Sequence, residues 1–365
     1  MTAWTTPRKP QNEDTLKTYC KHLEITPDLI QVAYENWSKA QAGKKNAHRV
    51  IKEHGSPEAL IQEIHQEIQD RSLKLRPVHR YKRTEPTNGK TRLIGVQSVK
   101  QQVCDYVAVT ALEPFLTAKT GFYQVSSIKG KGQLFAARTI RRWAQEGGHF
   151  VHLDVRQCYP TISGDLVRGI LKKYVASSDV LYLADVLLAT YKTGLDIGSY
   201  FSLRMAQLVL SFAYHYVSDL GKTRRGKHVP LVAHALFYMD DLLLMGTDKR
   251  DLRSATRRLE TFMRRKLGLE LKPWKICQVG DDEPIDMAGY VIRPGRTTIR
   301  SSIFLRARKA HRVFQKNPTL RNARRVCAYW GWLKYADTKT FQDTNEILHT
   351  QRLARQLISQ ERPDA

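Results

Sequence analysis

Two adjacent aspartates lie within the stretch HALFYMDDLLLM, which covers residues 234–245. Apolar residues flank the pair on both sides, and this pattern predicts a tight β-hairpin with Asp240 and Asp241 at its tip. Neighbouring anions repel one another and resist desolvation, so they persist most naturally where a divalent cation lies between them. The stretch therefore predicts a metal-binding hairpin.

A third carboxylate follows a second apolar segment. In FVHLDV, residues 150–155, a predicted strand carries Asp154 near its end. Three oxygen donors of this kind suit a two-metal phosphoryl-transfer centre with Mg²⁺, or with Mn²⁺ as the alternative ion. The arrangement favours a nucleic-acid polymerase in which Asp154, Asp240 and Asp241 are both metal ligands and catalytic residues.

The charge of the chain indicates a polyanionic partner. Its 365 residues include 60 Lys and Arg against 35 Asp and Glu, which gives a formal net charge of +25. This excess is far larger than solubility requires, and nucleic acid is the leading candidate. No stretch approaches the roughly 18 apolar residues of a spanning helix. We therefore expect nucleic-acid partners and no membrane partner.

The cysteines and the N-terminal sequence favour a reducing compartment. The 5 cysteines are odd in number, widely separated and without a Cys-x-x-Cys pair. Neither a disulfide framework nor a structural zinc site is therefore indicated. Residues 1–7 lack the charged start and apolar centre of a secretory signal. We expect a cytoplasmic protein.

The hydrophobic pattern changes along the chain. Residues 1–75 predict helices, including one from Ala59 to Arg71 that Ser56 caps. A basic hairpin is predicted around the turn at residues 87–90, and a further strand pair is predicted at 287–292 and 297–301. Basic helices are expected from about residue 305 onward.

Taken in order, these segments resemble the reverse transcriptases. The resemblance rests on a strand-borne Asp154, an intervening run of helix and loop, and an aromatic-x-Asp-Asp hairpin, and it extends over residues 76–340. It implies an α+β fold of the right-hand polymerase type, with an antiparallel palm sheet, basic fingers and a helical thumb. The implied domains are an N-terminal helical segment (1–75), fingers with palm elements (76–149), a palm (150–292), and a thumb with a C-terminal tail (293–365).

The resemblance also implies residues that border the incoming nucleotide. In LDVRQCYP, residues 153–160, Tyr159 would lie under the sugar as a steric gate against a 2′-hydroxyl. In GLDIGSYFS, residues 194–202, Gly198 would border the nucleotide pocket and allow close backbone approach. Asp196 and Leu203 depart from the proline and glutamine that are common in this motif, so template-side contacts do not simply carry over.

Three cationic residues would contact phosphate groups by the same resemblance. In GKTRLI, residues 89–94, Lys90 and Arg92 would meet the triphosphate of the nucleotide. In LKPWK, residues 271–275, Lys275 would lie near the leaving pyrophosphate as a general acid. Two later segments resemble the family's primer-gripping element, DMAGYVI at 286–292, and its thumb helix, AYWGWLKYAD at 328–337.

The implied activity is that of an RNA-directed DNA polymerase. It would extend a primer 3′-hydroxyl with dNTPs, using an RNA template and a DNA or RNA primer. Compact bacterial members include diversity-generating retroelement, retron, group II intron and antiphage defence-associated enzymes, so a retroelement or an antiviral defence system is the expected setting. A structured noncoding RNA and an accessory protein are further candidate partners.

Two other functions stay open at this point. One is template-independent or protein-primed DNA synthesis, which some defence-associated relatives perform with the same carboxylates. The other is a non-catalytic scaffold that binds RNA through its basic residues but does not catalyse DNA synthesis. The three aspartates together speak against the scaffold.

Overall fold

Helices and antiparallel strands alternate along the chain in this computed structural model, which describes residues 19–41, 46–84, 89, 91–280 and 282–360. The helices are α1 (Pro27–Ala40), α2 (Asn46–His54), α3 (Pro57–Gln69), α4 (Val99–Lys119), α5 (Gln133–Ala144), α6 (Cys158–Thr161), α7 (Gly164–Tyr174), α8 (Ser178–Ala189), α9 (Tyr200–Ser218), α10 (Lys249–Phe262), α11 (Ser301–Lys316), α12 (Leu320–Tyr335), α13 (Lys339–Thr344) and α14 (Ile347–Gln360). A π-helical segment, Met263–Leu267, follows α10 directly.

The strands form small antiparallel sheets. They are β1 (His79–Thr84), β2 (Thr91–Val96), β3 (His149–Asp154), β4 (Gly221–Arg224), β5 (Lys227–Pro230), β6 (His234–Tyr238), β7 (Asp241–Gly246), β8 (Ile276–Gln278), β9 (Ile285–Met287), β10 (Tyr290–Arg293) and β11 (Arg296–Ile299). The largest sheet has the order β6-β7-β3-β8, and a second has the order β11-β10-β9. The predicted α+β class with antiparallel sheets is confirmed.

The described residues fall into two units that are discontinuous in sequence. Unit 1 comprises those within 1–121, 156–213 and 261–270, and unit 2 comprises those within 122–155, 214–260 and 271–365. Within the described ranges, every helix is too short or too polar to cross a membrane.

Unit 1 is largely helical, and its local sequence explains where the helices begin. In α3, the Ser56 side chain accepts a hydrogen bond from the N–H of Ala59, and Pro57 occupies the first helical turn. The apolar face of this helix is buried, as the sequence predicts, through Leu60, Ile61, Ile64 and Ile68. The cap and the apolar stripe thus confirm the predicted helix, within bounds of Pro57–Gln69.

The basic hairpin of unit 1 is also confirmed. Strands β1 and β2 pair antiparallel from His79 opposite Val96 to Thr84 opposite Thr91. Arg92 lies in β2 opposite Arg83. The predicted triphosphate ligand Lys90 lies outside the described residues.

In unit 2, helix α5 packs on the sheets through an apolar face. Ala136, Ile140 and Trp143 of this helix share a buried cluster with Leu236 and Leu243 of the largest sheet. Because Leu236 and Leu243 are paired across β6 and β7, the same contacts that build the core also fix the hairpin that carries the two aspartates.

One predicted strand, residues 287–292, is wrong as a single element. It is divided into β9 and β10 by a two-residue turn in which Ala288 has φ 52° and Gly289 has φ 86°. Positive φ at both turn residues is typical of a type I′ hairpin, which matches the twist of its strands. A Cβ on Gly289 would lie 2.5 Å from Cη2 of Trp332, so both the indole ring and the positive φ require glycine here.

Candidate active site

The Asp240-Asp241 pair lies where the sequence predicts it. Strands β6 and β7 pair antiparallel, and Tyr238 opposite Asp241 closes a two-residue turn formed by Met239 and Asp240. Met239 has φ 55°, in the left-handed region that a side chain of this size rarely adopts. The predicted hairpin is therefore confirmed, and its tip has a strained backbone that the surrounding sheet must hold in place.

The outer side of the hairpin is protected by another segment of unit 2. The N–H of Val125 donates to the carbonyl of Phe237 at 3.0 Å, and the N–H of Phe237 donates to the carbonyl of Tyr123 at 2.9 Å. Tyr238 is partly buried, and burial raises the pKa of its phenol above the ordinary value. These contacts cover the edge of β6 and keep the tip in one position.

Asp154 reaches the hairpin tip through backbone pairing. Strand β3 runs antiparallel to β7, and Asp154 is the register partner of Asp241. The next residue, Val155, donates its N–H to the carbonyl of Asp240 at 3.0 Å. The chain thus brings the three predicted metal-binding residues to one end of the sheet, while their roles as ligands stay a prediction.

Two cationic or ionisable side chains accompany these carboxylates. Lys272 Nζ lies 2.6 Å from Asp154 Oδ1, and His152 Nε2 lies 3.5 Å from Asp241 Oδ1. Among the described residues, no three His, Cys, Asp or Glu side chains are already grouped around one point as a metal site. In this arrangement, the charge of Asp154 is balanced by the ammonium of Lys272.

Lys275, the predicted general acid, makes a different contact. Its Nζ lies 2.6 Å from Glu283 Oε1, and its side chain is 72% exposed. The hydrogen bond with Glu283 raises the pKa of Lys275. The catalytic role of Lys275 stays a prediction, and the lysine in contact with Asp154 is Lys272, which sequence reasoning missed.

The sequence could not single out Lys272, because its position depends on a long-range register. Leu271 forms a β-bridge with Val155, and the N–H of Lys272 donates to the carbonyl of Asp154 at 2.9 Å. The sequence carried only a weak signal: a second lysine three residues before Lys275 in the same motif.

Unit 1 contains a cavity lined by two of the four predicted nucleotide-binding residues, Tyr159 and Gly198. Its volume is about 310 Å³, and its lining includes Tyr159, Gly198 and Leu203. The other lining residues are mostly polar or aromatic: Gln41, Gln97, Gln102, Asp105, Tyr106, Ser199 and Tyr200. The structure thus brings the predicted gate and the predicted glycine together in one pocket.

Gly198 has the close backbone contact that was predicted for it. Its φ is 116°, and a Cβ at this position would lie 2.5 Å from the carbonyl oxygen of Gly95 in β2. The neighbouring contact is a hydrogen bond of 2.8 Å from the N–H of Gly95 to the carbonyl of Ile197. Any side chain at residue 198 would therefore push the loop away from the strand that carries Arg92.

Asp196, one of the two departures from the family motif, has a structural partner. Arg80 in β1 donates to it through Nε at 3.0 Å and through Nη2 at 2.6 Å. Both side chains are mostly buried, with 12% and 15% exposed. A bidentate pair of this kind is specific in geometry, so Asp196 fixes the 194–202 loop to the basic hairpin.

A buried carboxylate beneath the pocket was also missed. Asp105 in α4 is fully buried and accepts hydrogen bonds from Ser199 Oγ at 2.7 Å, Gln97 Nε2 at 3.2 Å and the N–H of Phe201 at 3.3 Å. Burial raises the pKa of Asp105 to about 6. The sequence carries one signal for it, an acidic residue among the apolar residues of the segment that forms α4.

Comparison with known proteins agrees with this geometry. Residues 81–292 match the family described as reverse transcriptase (RNA-dependent DNA polymerase). A search of curated proteins found no match to the chain. The matched range covers more than half of the 365 residues and contains the paired strands of Asp154 and Asp241 as well as the pocket residues Tyr159 and Gly198. The chain therefore belongs to the reverse transcriptase family, whose members are nucleotidyltransferases that use dNTPs and a nucleic-acid template and primer.

Proposed function

We propose that this protein is an RNA-directed DNA polymerase that extends a primer 3′-hydroxyl with dNTPs by two-metal phosphoryl transfer. The observation that carries the proposal is the pairing of Asp154 with Asp241 across β3 and β7. Like charges directly opposite in a sheet are destabilising. The presence of Asp154 and Asp241 beside Asp240 is best explained by a function that needs several carboxylates at one point.

The side-chain chemistry fits divalent metal ions. Asp154, Asp240 and Asp241 offer the hard carboxylate oxygens that Mg²⁺ prefers, and Mn²⁺ accepts the same donors. When bound, such ions would lower the pKa of the primer hydroxyl and balance the charge of the leaving pyrophosphate. The chain's own contribution is to hold Asp154 and Asp241 on paired strands and Asp240 in the adjoining turn.

The pocket of unit 1 would bind the nucleotide. The Tyr159 ring would exclude a ribose 2′-hydroxyl by overlap, and Gly198 would leave room for close approach. Lys90 and Arg92 would neutralise the triphosphate, since cationic side chains stabilise the charge that builds on phosphate oxygens during transfer. Lys275 would give a proton to the leaving pyrophosphate after release from Glu283.

We extend the proposal to domains and partners. Residues 1–75 would be the N-terminal helical segment, 76–149 the fingers, 150–292 the palm and 293–365 the thumb and tail. The formal charge of +25 supports an RNA template with a DNA or RNA primer. The proposed setting is a compact retroelement or an antiviral defence system in the cytoplasm, with a structured noncoding RNA and an accessory protein as partners, and the neighbouring genes would test it.

Primer extension tests the central claim. The purified full-length protein should extend a DNA primer annealed to RNA when Mg²⁺ and dNTPs are supplied. The Asp240→Asn variant keeps the size of the side chain but loses its charge, and its rate should fall by about two orders of magnitude or more. A wild-type protein that extends no primer, or an Asp240→Asn variant as active as wild type, would overturn the proposal.

A second candidate function is template-independent or protein-primed DNA synthesis. It is favoured by Leu203, which lines the pocket of unit 1 where a family glutamine commonly lies. An aliphatic side chain cannot make the hydrogen bonds of an amide. Incorporation of dNTPs with no added template would support this candidate, whereas strict dependence on a template would exclude template-independent synthesis.

A further inference from the structure

Lys272 is held next to Asp154 by the main chain as well as by its side chain. The N–H of Lys272 donates to the carbonyl of Asp154 at 2.9 Å, beside the β-bridge between Leu271 and Val155. The backbone therefore fixes the starting point of the lysine side chain opposite Asp154. Its proximity to the carboxylate is not the chance result of a flexible surface chain.

The side chain of Lys272 completes this contact. Its Nζ lies 2.6 Å from Asp154 Oδ1, and the two side chains are 42% and 34% exposed. Asp154 also faces Asp241 across the strand pair, so the ammonium reduces the repulsion between two carboxylates. A cation in this position supplies the countercharge that the cluster needs whenever no metal ion is bound.

In this position, Lys272 would compete with a metal ion for the carboxylate of Asp154. A metal ion bound to Asp154 and an ammonium at 2.6 Å from Oδ1 of the same carboxylate are both positive, so they repel one another and compete for that oxygen. Close approach of the ion therefore requires that Lys272 withdraw. Lys275 is not equivalent, because it pairs with Glu283 rather than with Asp154.

We propose that Lys272 is a resident counter-ion of Asp154: it stabilises the carboxylate cluster in the absence of metal and lowers the affinity of the site for the catalytic ion. This inference rests on the proposed function in one respect, namely that Asp154 is a metal ligand. It adds a positioning residue that sets how much divalent ion the enzyme needs.

A matched control exists elsewhere in unit 2. Lys222 Nζ lies 2.5 Å from Asp251 Oδ2, and its side chain is 41% exposed, close to the 42% of Lys272. Lys222→Gln therefore removes the same charge from a lysine–aspartate pair with a similarly exposed lysine, and its acid, Asp251, follows the end of β7 opposite to Asp241. Any effect of total charge on ion binding should appear equally in Lys222→Gln and in Lys272→Gln.

The first test measures Mn²⁺ binding to the full-length protein without nucleic acid or nucleotide, from the electron paramagnetic resonance signal of free Mn²⁺. A partly exposed ion pair is worth a modest free energy, so Lys272→Gln should bind Mn²⁺ roughly two- to tenfold more tightly than wild type. Lys222→Gln should match wild type, and Asp154→Asn should lose the site. Equal or weaker binding by Lys272→Gln would overturn the inference.

The outcomes separate this inference from the proposed function. If Mn²⁺ binding depends on Asp154 but does not change in Lys272→Gln, only the counter-ion role fails. If neither wild type nor Lys272→Gln shows any Mn²⁺ binding that depends on Asp154, both the counter-ion role of Lys272 and the proposed two-metal function are wrong.

A second test compares melting temperatures and does not depend on catalytic activity. Without divalent ions, Lys272→Gln should melt below wild type, because Asp154 and Asp241 are left without their countercharge. Saturating Mg²⁺ should narrow or reverse this difference, and Lys272→Met should behave as Lys272→Gln does. A destabilisation of the same size with and without Mg²⁺ in both variants would indicate a merely structural lysine and contradict the proposal.

Discussion

Asp154 and Asp241 are direct register partners on neighbouring antiparallel strands, β3 and β7. Partners of this kind have Cβ atoms about 5 Å apart on one face of the sheet. The two carboxylates therefore approach one another because of strand register, and not because of flexible loops. This explains how residues far apart in sequence form a preorganised cluster.

The first prediction concerns the stability and activity of Asp241→Asn. The substitution removes one of two opposing charges, so the protein without metal should be as stable as wild type or more stable, by up to about 1 kcal/mol. Primer extension should fall about tenfold or more, because one anionic donor is lost. Thermal melting and primer extension on the same sample measure both effects, and a clear loss of stability without metal would contradict the assignment.

The second prediction concerns the steric gate. Tyr159→Ala opens the pocket of unit 1, so incorporation of ribonucleotides relative to deoxynucleotides should rise about tenfold or more. Tyr159→Phe keeps the ring and should keep the discrimination of wild type. The measurement is kcat/KM for matched dNTP and rNTP pairs. Unchanged discrimination in Tyr159→Ala would remove Tyr159 from the gate.

Glycine at residue 198 is expected to be essential for local packing. In Gly198→Ala, the new Cβ would lie 2.5 Å from Gly95 O, on top of the strain of a φ of 116°. We expect a loss of about 1–3 kcal/mol in the free energy of unfolding and a raised KM for dNTPs. Gly226→Ala is the control, since Gly226 also has positive φ, 75°, but a methyl group added there would meet no other atom within 4 Å. Equal losses in both variants would show that backbone strain alone accounts for the effect.

Asp105 should make the folding stability of the protein depend on pH in a distinctive way. Burial raises its pKa from 3.8 to about 6, so between these values the unfolded chain releases its proton before the folded protein does. Stability therefore falls as pH rises through this window, and the cost, on the order of 3 kcal/mol at most, persists above it. The difference in melting temperature between wild type and Asp105→Asn, measured from about pH 4 to 7, should follow this trend.

Asp179 provides a control of opposite sign. Burial alone would raise the pKa of Asp179, but the hydrogen bonds it accepts, with that from Arg71 the largest, lower it overall. Relative to Asp179→Asn, wild type should therefore gain stability as pH rises through the acid range, and lose it as pH falls. If Asp105→Asn and Asp179→Asn gave trends of the same sign, the account of Asp105 would be wrong.

Local patterns in the sequence predicted several elements well. The cap at Ser56 and the apolar stripe of α3 depend on residues within one helix, and the Asp240-Asp241 hairpin depends on two adjacent strands and their turn. The prediction of one strand over 287–292 was wrong, because the turn at Ala288 and Gly289 interrupts an apolar run without a strong turn signal. The predictions that were right concern elements whose backbone conformation is determined by neighbouring residues, and the wrong prediction concerns a segment where neighbouring residues were not enough.

The sequence by itself determined the family, the paired aspartates and the strand that carries Asp154, because hydrophobic alternation and turn chemistry act over a few residues. Only the tertiary structure decided that Asp154 faces Asp241, that Lys272 rather than Lys275 contacts Asp154, and that Asp105 lies beneath Ser199. These relationships depend on strand register and helix packing between distant segments. Their energies come from hydrogen bonds and burial that exist only after the whole chain has folded.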